Sequence, residues 1–573
     1  MPTRTRPPLP GAIFHALRRL RIPLIVLIGA YAVSIIGFVI IPGTLEDGGS
    51  WRMDFFHAFY FVSFMGSTIG FGEIPHPFNG AQRLWTLFSI YATVFSWLYA
   101  IGTTISLLQD RVFLRALSRS RASHAIYRMR EPFYLLCGYG EAGKVVSRFL
   151  NDIGERMVVI ERGEQAVNDL YLDELPMLVR AIQGDAADPG QLERAGLTHP
   201  QCKGVIAVIG DDQENLKIAI SAKLLNQKLK VFGRVSEEDT ADNMRSFGTD
   251  HIINPIKTFA WHFSLAFSSP ALHLLNDWLS QTDYQALTEP VFPPRGKWIL
   301  CGYGRFGKAV YEKLTEQDNE VVVIETRPQL AHAPDGTIEG RGTEAVTLRQ
   351  AGIEEAVGIV AGTDHDANNL SIVMTAKELN RELFTVGRQN QIRNAPLFEA
   401  ADLDIVVNQN LLIANRIINL LTTPLTNEFL RQANKQDSSW SNELVSRISA
   451  TVEDTAPLTW VLELTVPSAP GLYQVLRAGH EFRLSHLVRE PHNRKMRLPC
   501  VPLMLVRGDD RTLVPDEQMA LKFGDRILFC GPRGAREKML SAVSRSDIMA
   551  YLVTGRHRIM SPLWRGLTGK REE

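Results

Sequence analysis

From Ile22 to Ile41 the chain carries no charged residue, and about 20 helical residues rising 1.5 Å each cross a hydrocarbon layer of roughly 30 Å. Leu84 to Leu108 is again uncharged and long enough to cross. Between them, Asp54 to Gly66 is apolar and aromatic but only about half that length, which suits a re-entrant helix that enters a bilayer and turns back. Few folds accommodate this order. The sequence predicts span, half-helix, connecting loop and second span within residues 21–110, following a short N-terminal tail over 1–20.

The connecting loop is Ser67-Thr68-Ile69-Gly70-Phe71-Gly72-Glu73. Its alternating glycines let the backbone bend so that successive carbonyls face one side, and several copies around an axis would replace the water shell of a dehydrated cation. Thr68 adds a hydroxyl at the inner end. The loop reads as a potassium-selectivity filter, a TVGYG-type segment with Ile69 for Val and Phe71 for Tyr. Non-helical backbone is tolerated at membrane depth only when protein buries it or it lines water, so the segment requires an oligomer. Four chains around one pore are expected, each giving a quarter. A re-entrant helix ending at Gly66 aims its negative dipole end at the centre, favouring cations.

Orientation follows from arginines. Arg4, Arg6, Arg18, Arg19 and Arg21 precede the first span and Arg111, Arg115, Arg119 and Arg121 follow the second, whereas the intervening loops carry Glu46, Asp47 and Glu73. Both termini are expected in the cytoplasm, with the spans in the inner (plasma) membrane. The N-terminus does not read as a cleaved signal, since its apolar stretch is too long. Lys plus Arg equals Asp plus Glu at 62 each, which gives no reason to expect a nucleic-acid partner. The five cysteines, Cys137, Cys202, Cys301, Cys500 and Cys530, show no metal-ligand spacing and all follow the second span, as a reducing compartment would allow.

Beyond residue 130 the chain repeats itself. Tyr134-Leu-Leu-Cys-Gly-Tyr-Gly-Glu-Ala-Gly143 is echoed by Trp298-Ile-Leu-Cys-Gly-Tyr-Gly-Arg-Phe-Gly307, and Val158-Val-Ile-Glu161 by Val322-Val-Ile-Glu325. Asn215-Leu216 and Asn369-Leu370, then Gly233-Arg234 and Gly387-Arg388, follow in the same order. This is tandem duplication. Short β-branched runs alternate with amphipathic stretches, predicting two parallel doubly wound sheets of Rossmann type. In each, a strand runs into Gly-x-Gly-x-x-Gly: the first glycine permits the turn, the second lets a phosphate approach, and the third lets helix and strand pack closely. Glu161 and Glu325 lie about 20 residues on, where a carboxylate binds ribose hydroxyls. An acid there favours NAD or an adenosine nucleotide over NADP.

The candidate nucleotide-binding residues are Gly138, Tyr139, Gly140, Glu141, Ala142, Gly143, Glu161 and Asp185 in the first repeat. In the second they are Gly302, Tyr303, Gly304, Arg305, Phe306, Gly307, Glu325, Arg327 and Arg341. Two readings of the glycines stand side by side, a phosphate cradle or merely a tight turn, and Arg341 is either a phosphate partner or a solvated cation. Asp211, Asp212, Asp364 and Asp366, with the two glutamates, form a candidate calcium set, or they are ordinary strand-end acids; no metal site is assigned. A helical segment follows each repeat, Pro255 to Ser280 and Gln409 to Ala433, with Phe259, Phe263, Phe267, Leu272 and Leu275 as a packing stripe. His262 and His273 on it read as structural histidines. Thr288 to Arg295 is a proline-rich linker, and from about Pro457 short strands and a helix form a smaller α+β unit.

Together these motifs resemble two-transmembrane prokaryotic potassium channels with tandem RCK (Trk-type, NAD-binding) domains, and Gly524-Asp525-Arg526-Ile527-Leu528 is similar to the end of the lobe that often follows them. The resemblance implies a filter at Thr68, Ile69, Gly70, Phe71, Gly72 and Glu73, a homotetramer in a lipid bilayer, and a cytoplasmic ring of eight RCK domains. It also implies gating by NAD, ADP, ATP or divalent cations. The expected layout is a pore module with spans at 22–41 and 84–108, a half-helix at 54–66 and a filter at 67–73. A linker at 111–130 leads to RCK domains at 131–281 and 297–434, joined by a linker at 282–296, then a lobe at 455–545 and a tail at 546–573. Glu73 stands where Asp is usual, Ala92 where a hinge glycine is frequent, and Gly102 is the only glycine left in that span to serve as the hinge. No His/Asp or Tyr/Lys arrangement recurs beside the glycine loops, so a ligand-gated channel is expected and an enzyme is not. A weakly selective cation channel, a regulatory subunit of a separate potassium transporter, and an NAD-dependent dehydrogenase are the rivals.

Overall fold

The structure is a computed structural model that describes residues 11–45, 48–72, 76–110, 125–280, 289–452 and 455–555. Glu73, the acidic loop residues Glu46 and Asp47, Arg4, Arg6, and the arginines between 111 and 121 lie outside the described residues. The chain forms two compact units, residues 1–130 and 131–573.

The described residues of the first unit include the helices α1 (Gly11–Ile40), α2 (Phe55–Gly66) and α3 (Gly80–Gln109). α1 starts inside the stretch expected to be an N-terminal tail, because nothing between Gly11 and the apolar run breaks a helix; Pro23 is inside it and removes one backbone bond. Residues 18–40 and 80–109 are apolar enough to cross a membrane, and only 22% of each apolar window is buried. Core helices of a water-soluble domain are mostly covered, and these are not. α1 and α3 pack where Gly37 leaves room for the Trp85 ring, whose Nε1 donates to the Ser34 carbonyl at 3.0 Å. The hydroxyls of Thr86, Thr93 and Ser96 donate back to the carbonyls of Gln82, Ser89 and Ala92 at 2.6–2.7 Å, which satisfies them without water. α2 begins at Asp54, whose carboxylate accepts from the His57 N–H at 2.7 Å, and buries Phe61, Val62 and Phe64 against Phe38. Arg19, inside α1, pairs with Asp110 at the C-terminal end of α3 at 2.6 Å.

The second unit opens with a six-stranded parallel sheet: β1 (Phe133–Cys137), β2 (Arg156–Glu161), β3 (Leu178–Gln183), β4 (Cys202–Ala207), β5 (Lys230–Arg234) and β6 (His251–Ile253). Its order is β3-β2-β1-β4-β5-β6, which reverses between β1 and β4 and opens a crevice at their carboxyl ends. Helix α4 (Glu141–Asp152) follows β1, and α5 (Pro255–Ser268) and α6 (Pro270–Ser280) close the repeat. The second repeat has the same order in β7 (Lys297–Cys301), β8 (Glu320–Glu325), β9 (Ile338–Glu339), β10 (Gly358–Ala361), β11 (Phe384–Gln389) and β12 (Ile405–Asn408). Its matching helices are α7 (Arg305–Glu316), α8 (Gln409–Thr422) and α9 (Pro424–Ala433).

The repeats exchange helices. Phe259 and Phe263 of α5 enter the core of the second repeat beside Phe306 and Trp298, while Ile413 and Ile417 of α8 enter the core of the first beside Val145, Val146 and Leu150. Each such buried side chain contributes roughly 1.5–3 kcal/mol relative to exposure, so neither repeat has a complete core alone. The C-terminal sheet, β13 (Leu458–Glu463), β14 (Val501–Arg507), β15 (Asp510–Leu513) and β16 (Arg526–Gly531), is antiparallel in the order β13-β16-β14-β15. One face packs on α6, α9 and a helix at Ser438–Ser449 that the sequence pattern had not indicated. The lobe also runs past residue 545: a helix at Ser546–Thr554 buries Ile548, Met549 and Leu552 in its core, so part of the expected tail is structural.

Candidate functional site

At the end of α2 the chain leaves the helix through N–H groups of Ser67, Thr68 and Ile69 that turn back on the carbonyls of Ser63, Met65 and Phe64 at 3.0–3.1 Å. Thr68, Gly70 and Gly72 then take φ of 63°, 65° and 76°. Left-handed backbone at every second residue cancels the usual alternation of carbonyl direction along an extended chain, so consecutive carbonyls are brought toward one side. Residues 67–72 are exposed, with Ile69 and Phe71 at 61% and 66%. α3 runs unbroken through Gly102, around which space is open.

The second site is the crevice of the first repeat. Gly138 has φ 98°, which lets β1 turn sharply into α4. A Cβ on Gly143 would collide with the Gly138 carbonyl, so the third glycine is a close-packing device. A Cβ on Gly140 would meet nothing within 4 Å, and α4 begins there with no side-chain cap. Its first-turn N–H groups therefore face a cavity of about 640 Å³. Gly138, Gly140, Glu141, Ala142, Glu161 and Asp185 all line it, so six of the eight residues expected in this repeat are brought together.

Tyr139 and Gly143 do not line it. Tyr139 is buried, with its hydroxyl on Asp173, because the turn at Gly138 directs that side chain to the other side of α4. Glu161 has a second task. Its Oε2 accepts from the Tyr139 N–H and its Oε1 from the Gly163 N–H, both at 2.7 Å, bracing the glycine loop. Arg162 pairs with Asp185 at 2.9 Å and Glu214 at 2.7 Å. Burial pushes the Asp185 carboxyl up, but the Ala187 N–H and Arg162 hold it below its ordinary value. The carboxylates of Asp185 and Glu214 in turn raise Arg162.

The opposite wall was not legible in the sequence. Arg234 closes it from the first repeat, and Arg388, Gln389, Asn390, Gln409 and Asn410 close it from the second. The Gly-Arg pairs were visible as repeat markers, but nothing in their spacing placed both arginines at one cleft.

In the second repeat Gly302, Gly304 and Gly307 reproduce the same loop, with φ 93° at Gly302 and open space at Gly304. Glu325 braces it, accepting from the Tyr303 N–H at 2.7 Å, the Thr326 hydroxyl at 2.9 Å and the Arg327 N–H at 3.1 Å. Burial raises the Glu325 carboxyl, but these donors hold it below its ordinary value. Phe306 is a core residue, 1% exposed and stacked on Phe259 at 5.5 Å, rather than a ligand contact. Arg305 reaches Glu237 of the first repeat at 3.9 Å, and Arg327 and Arg341 are exposed. None of the nine residues expected in this repeat lines the cavity above.

Each acid of the candidate calcium set makes contacts within the protein. Asp211 caps the helix at Asp212–Leu225, Asp212 accepts from the Ser236 and Glu237 N–H groups, Asp364 pairs with Arg388, and Asp366 accepts from the Asn390 and Gln391 N–H groups.

Residues 134–255 and 298–409 match the TrkA-N domain family. Among curated proteins, Potassium channel protein 1 of Methanocaldococcus jannaschii is 30% identical over 203 residues, 35% of this chain and 59% of the relative. Trk system potassium uptake protein TrkA homolog 2 of Methanosarcina mazei is 22% identical over 367 residues, 50% of this chain and 80% of the relative. The matched stretches cover 59%, 34% and 58% of the length of the first three curated relatives. A solved structure described as the GsuK channel bound to NAD is 15% identical, with a TM-score of 0.46 over 93% of this chain and all of the other.

Proposed function

We propose that this chain, a TrkA-N domain protein with two apolar helices and a half-helix ahead of its paired domains, is one subunit of a nucleotide-gated potassium channel. The observation that carries the reading is the left-handed backbone at Thr68, Gly70 and Gly72, which turns consecutive carbonyls to one side directly after a membrane half-helix. Its exposed flanks call for neighbours, and four subunits complete a ring of oxygens around a dehydrated ion. The first and last residues then lie in the cytoplasm of the cell whose inner membrane holds the pore, by the placement of arginines. Eight TrkA-N domains form the regulatory ring, and an adenine nucleotide or NAD occupies the first repeat's cleft. The named relatives, potassium channel and potassium uptake proteins, point the same way.

The protein acts by binding rather than by chemistry. A ligand opens or closes the pore only through its different affinity for the two forms of the ring, and several sites contributing about 1 kcal/mol each suffice to swing a balanced gate. Purified protein in liposomes tests this. Potassium flux without a partner protein, altered by ADP or NAD, is expected, with a reversal potential in mixed potassium and sodium that follows potassium. No flux with any nucleotide would favour a regulatory subunit instead.

A further inference from the structure

Gly66 is the last residue of α2, is buried, and directly precedes the filter-like turn. A Cβ there would lie 2.8 Å from the Tyr31 hydroxyl oxygen of α1 and 3.2 Å from the Thr93 Cβ of α3. Both long helices therefore close on the backbone where the half-helix ends, and the place is shaped for a hydrogen. The end of a tyrosine side chain would ordinarily yield to a methyl group. Tyr31 is held: Trp97 Nε1 of α3 donates to its hydroxyl at 2.9 Å. Tyr31 and Trp97 both lie inside the apolar helices, where no water competes for the bond. The neighbouring hydroxyls are used within their own segments, Thr93 donating to the Ser89 carbonyl at 2.7 Å, Ser63 to Phe59 at 2.7 Å and Ser67 to Phe64 at 3.2 Å. The Tyr31–Trp97 bond instead ties α1 to α3 beside the foot of the turn.

On its other side Gly66 leads into residues whose N–H groups fold back on α2. Ser67, Thr68 and Ile69 donate to the Ser63, Met65 and Phe64 carbonyls at 3.0–3.1 Å. The start of the turn is thus fastened to the last turn of the half-helix, and a displacement of Gly66 carries Thr68 with it.

We infer that Tyr31, oriented by Trp97, is a positioning residue for the filter: its hydroxyl sets where the end of α2 sits, and so where the Thr68 oxygens stand around the ion. This rests on the reading of residues 67–72 as a filter and deepens it, by making the choice between potassium and sodium depend on a side chain of the first span. A binding constellation must be held to within about 0.5 Å by the groups behind it, and discrimination between the two ions depends on where the oxygens stand once water is stripped away. Without the hydroxyl, the foot of the turn gains room to shift and the two ions are told apart less well. Thr93 supplies the second wall, and because its hydroxyl is bonded to its own helix it bounds Gly66 by carbon alone.

Reversal potentials of the full-length protein in liposomes, in mixed potassium and sodium, test the role, with size-exclusion elution like that of the wild type identifying assembled variants. Tyr31→Phe is expected to lower the potassium-to-sodium permeability ratio about threefold, the size of one interhelical hydrogen bond in a membrane. Trp97→Phe should act in the same direction and less. Gly66→Ala, whose methyl group meets the hydroxyl, should lower the ratio about tenfold or more. The double variant Gly66→Ala with Tyr31→Phe should recover toward Tyr31→Phe alone, since removing the oxygen makes room for the methyl; two merely structural lesions would add instead. An unchanged ratio in Tyr31→Phe, or a double variant no better than Gly66→Ala, would overturn the role while leaving the filter in place. Should Gly66→Ala not assemble, Tyr31→Phe decides alone. If the wild type itself shows no preference for potassium, the filter reading falls and the positioning role falls with it.

Discussion

The two repeats share strand order, glycine loop and bracing glutamate, yet differ at the residue that follows the middle glycine by two. In the first it is Ala142, which lines an open cleft; in the second it is Phe306, which is stacked on Phe259 and buried. The neighbouring strand end compensates: a Cβ on Gly362 would press on the Phe306 ring, whereas Val208 stands at the matching place in the first repeat. A glycine fingerprint therefore specifies a turn, and whether that turn serves a ligand depends on the volume of the side chains around it. Duplication supplied two frames, and in the second the place of Ala142 is taken by a packed aromatic ring.

The largest effect that sharpens this contrast is on stability. Phe306→Ala should cost about 3–5 kcal/mol, the usual loss for a buried aromatic cut back to alanine, seen as a lower urea midpoint for the second unit. A change below about 1 kcal/mol would mean that Phe306 is not a core residue and that the repeats are more alike than described.

Next is acidity, because the exchanged helices meet with matching residues of unlike kind. His262 of α5 corresponds in the repeat to Arg416 of α8. Burial, then His273 and Arg416, push the His262 imidazole down to about 4 from its ordinary 6.5. The unfolded chain binds the proton first, so stability is complete above pH 6.5 and falls as pH drops from 6.5 toward 4. The loss amounts to on the order of 3 kcal/mol by pH 4. Unfolding free energies across that range should show His262→Gln with a flatter acid limb than the wild type; an identical limb would refute the assignment.

A smaller effect separates ligand from scaffold. Glu161→Ala and Glu325→Ala each remove a loop brace and should destabilise by about 1–2 kcal/mol. Only Glu161→Ala should also weaken ADP binding, by about tenfold; equal losses from both would make the second repeat a ligand site too. Smallest is Arg341→Ala, exposed and away from the cleft. Thermal unfolding should place it within about 0.5 kcal/mol of the wild type, with ADP affinity unchanged in calorimetry.

Much of the molecule was legible from local pattern. Uncharged runs of membrane length, a half-length apolar helix and a glycine-alternating turn depend on near neighbours along the chain; α2 and α3 lie within a few residues of their expected bounds, whereas α1 begins at Gly11 rather than Ile22. The parallel sheets followed from strand and helix periodicity, and the braces Glu161 and Glu325 from their spacing to the loop, although the spacing indicated a ribose contact and the structure adds a backbone one. The lobe's last helix escaped because a short amphipathic stretch near the end of a chain looks like any solvated tail until the surface that buries Met549 and Leu552 is known.

What the sequence alone determined about this protein is therefore its list of parts: a membrane hairpin with a filter-like turn, two Rossmann frames with glycine loops, and a small terminal lobe. Tertiary structure alone decided that Ala142 lines a cavity while Phe306 packs into a core, that α5 and α8 each complete the core of the other repeat, and that Arg234 and Arg388 face one cavity although 153 residues of chain lie between them. The physical reason is range. Hydrogen-bond geometry, span length and periodicity act over a few residues and leave a signature in the string, whereas cavity volume and the meeting of like charges depend on how distant segments fill space against each other.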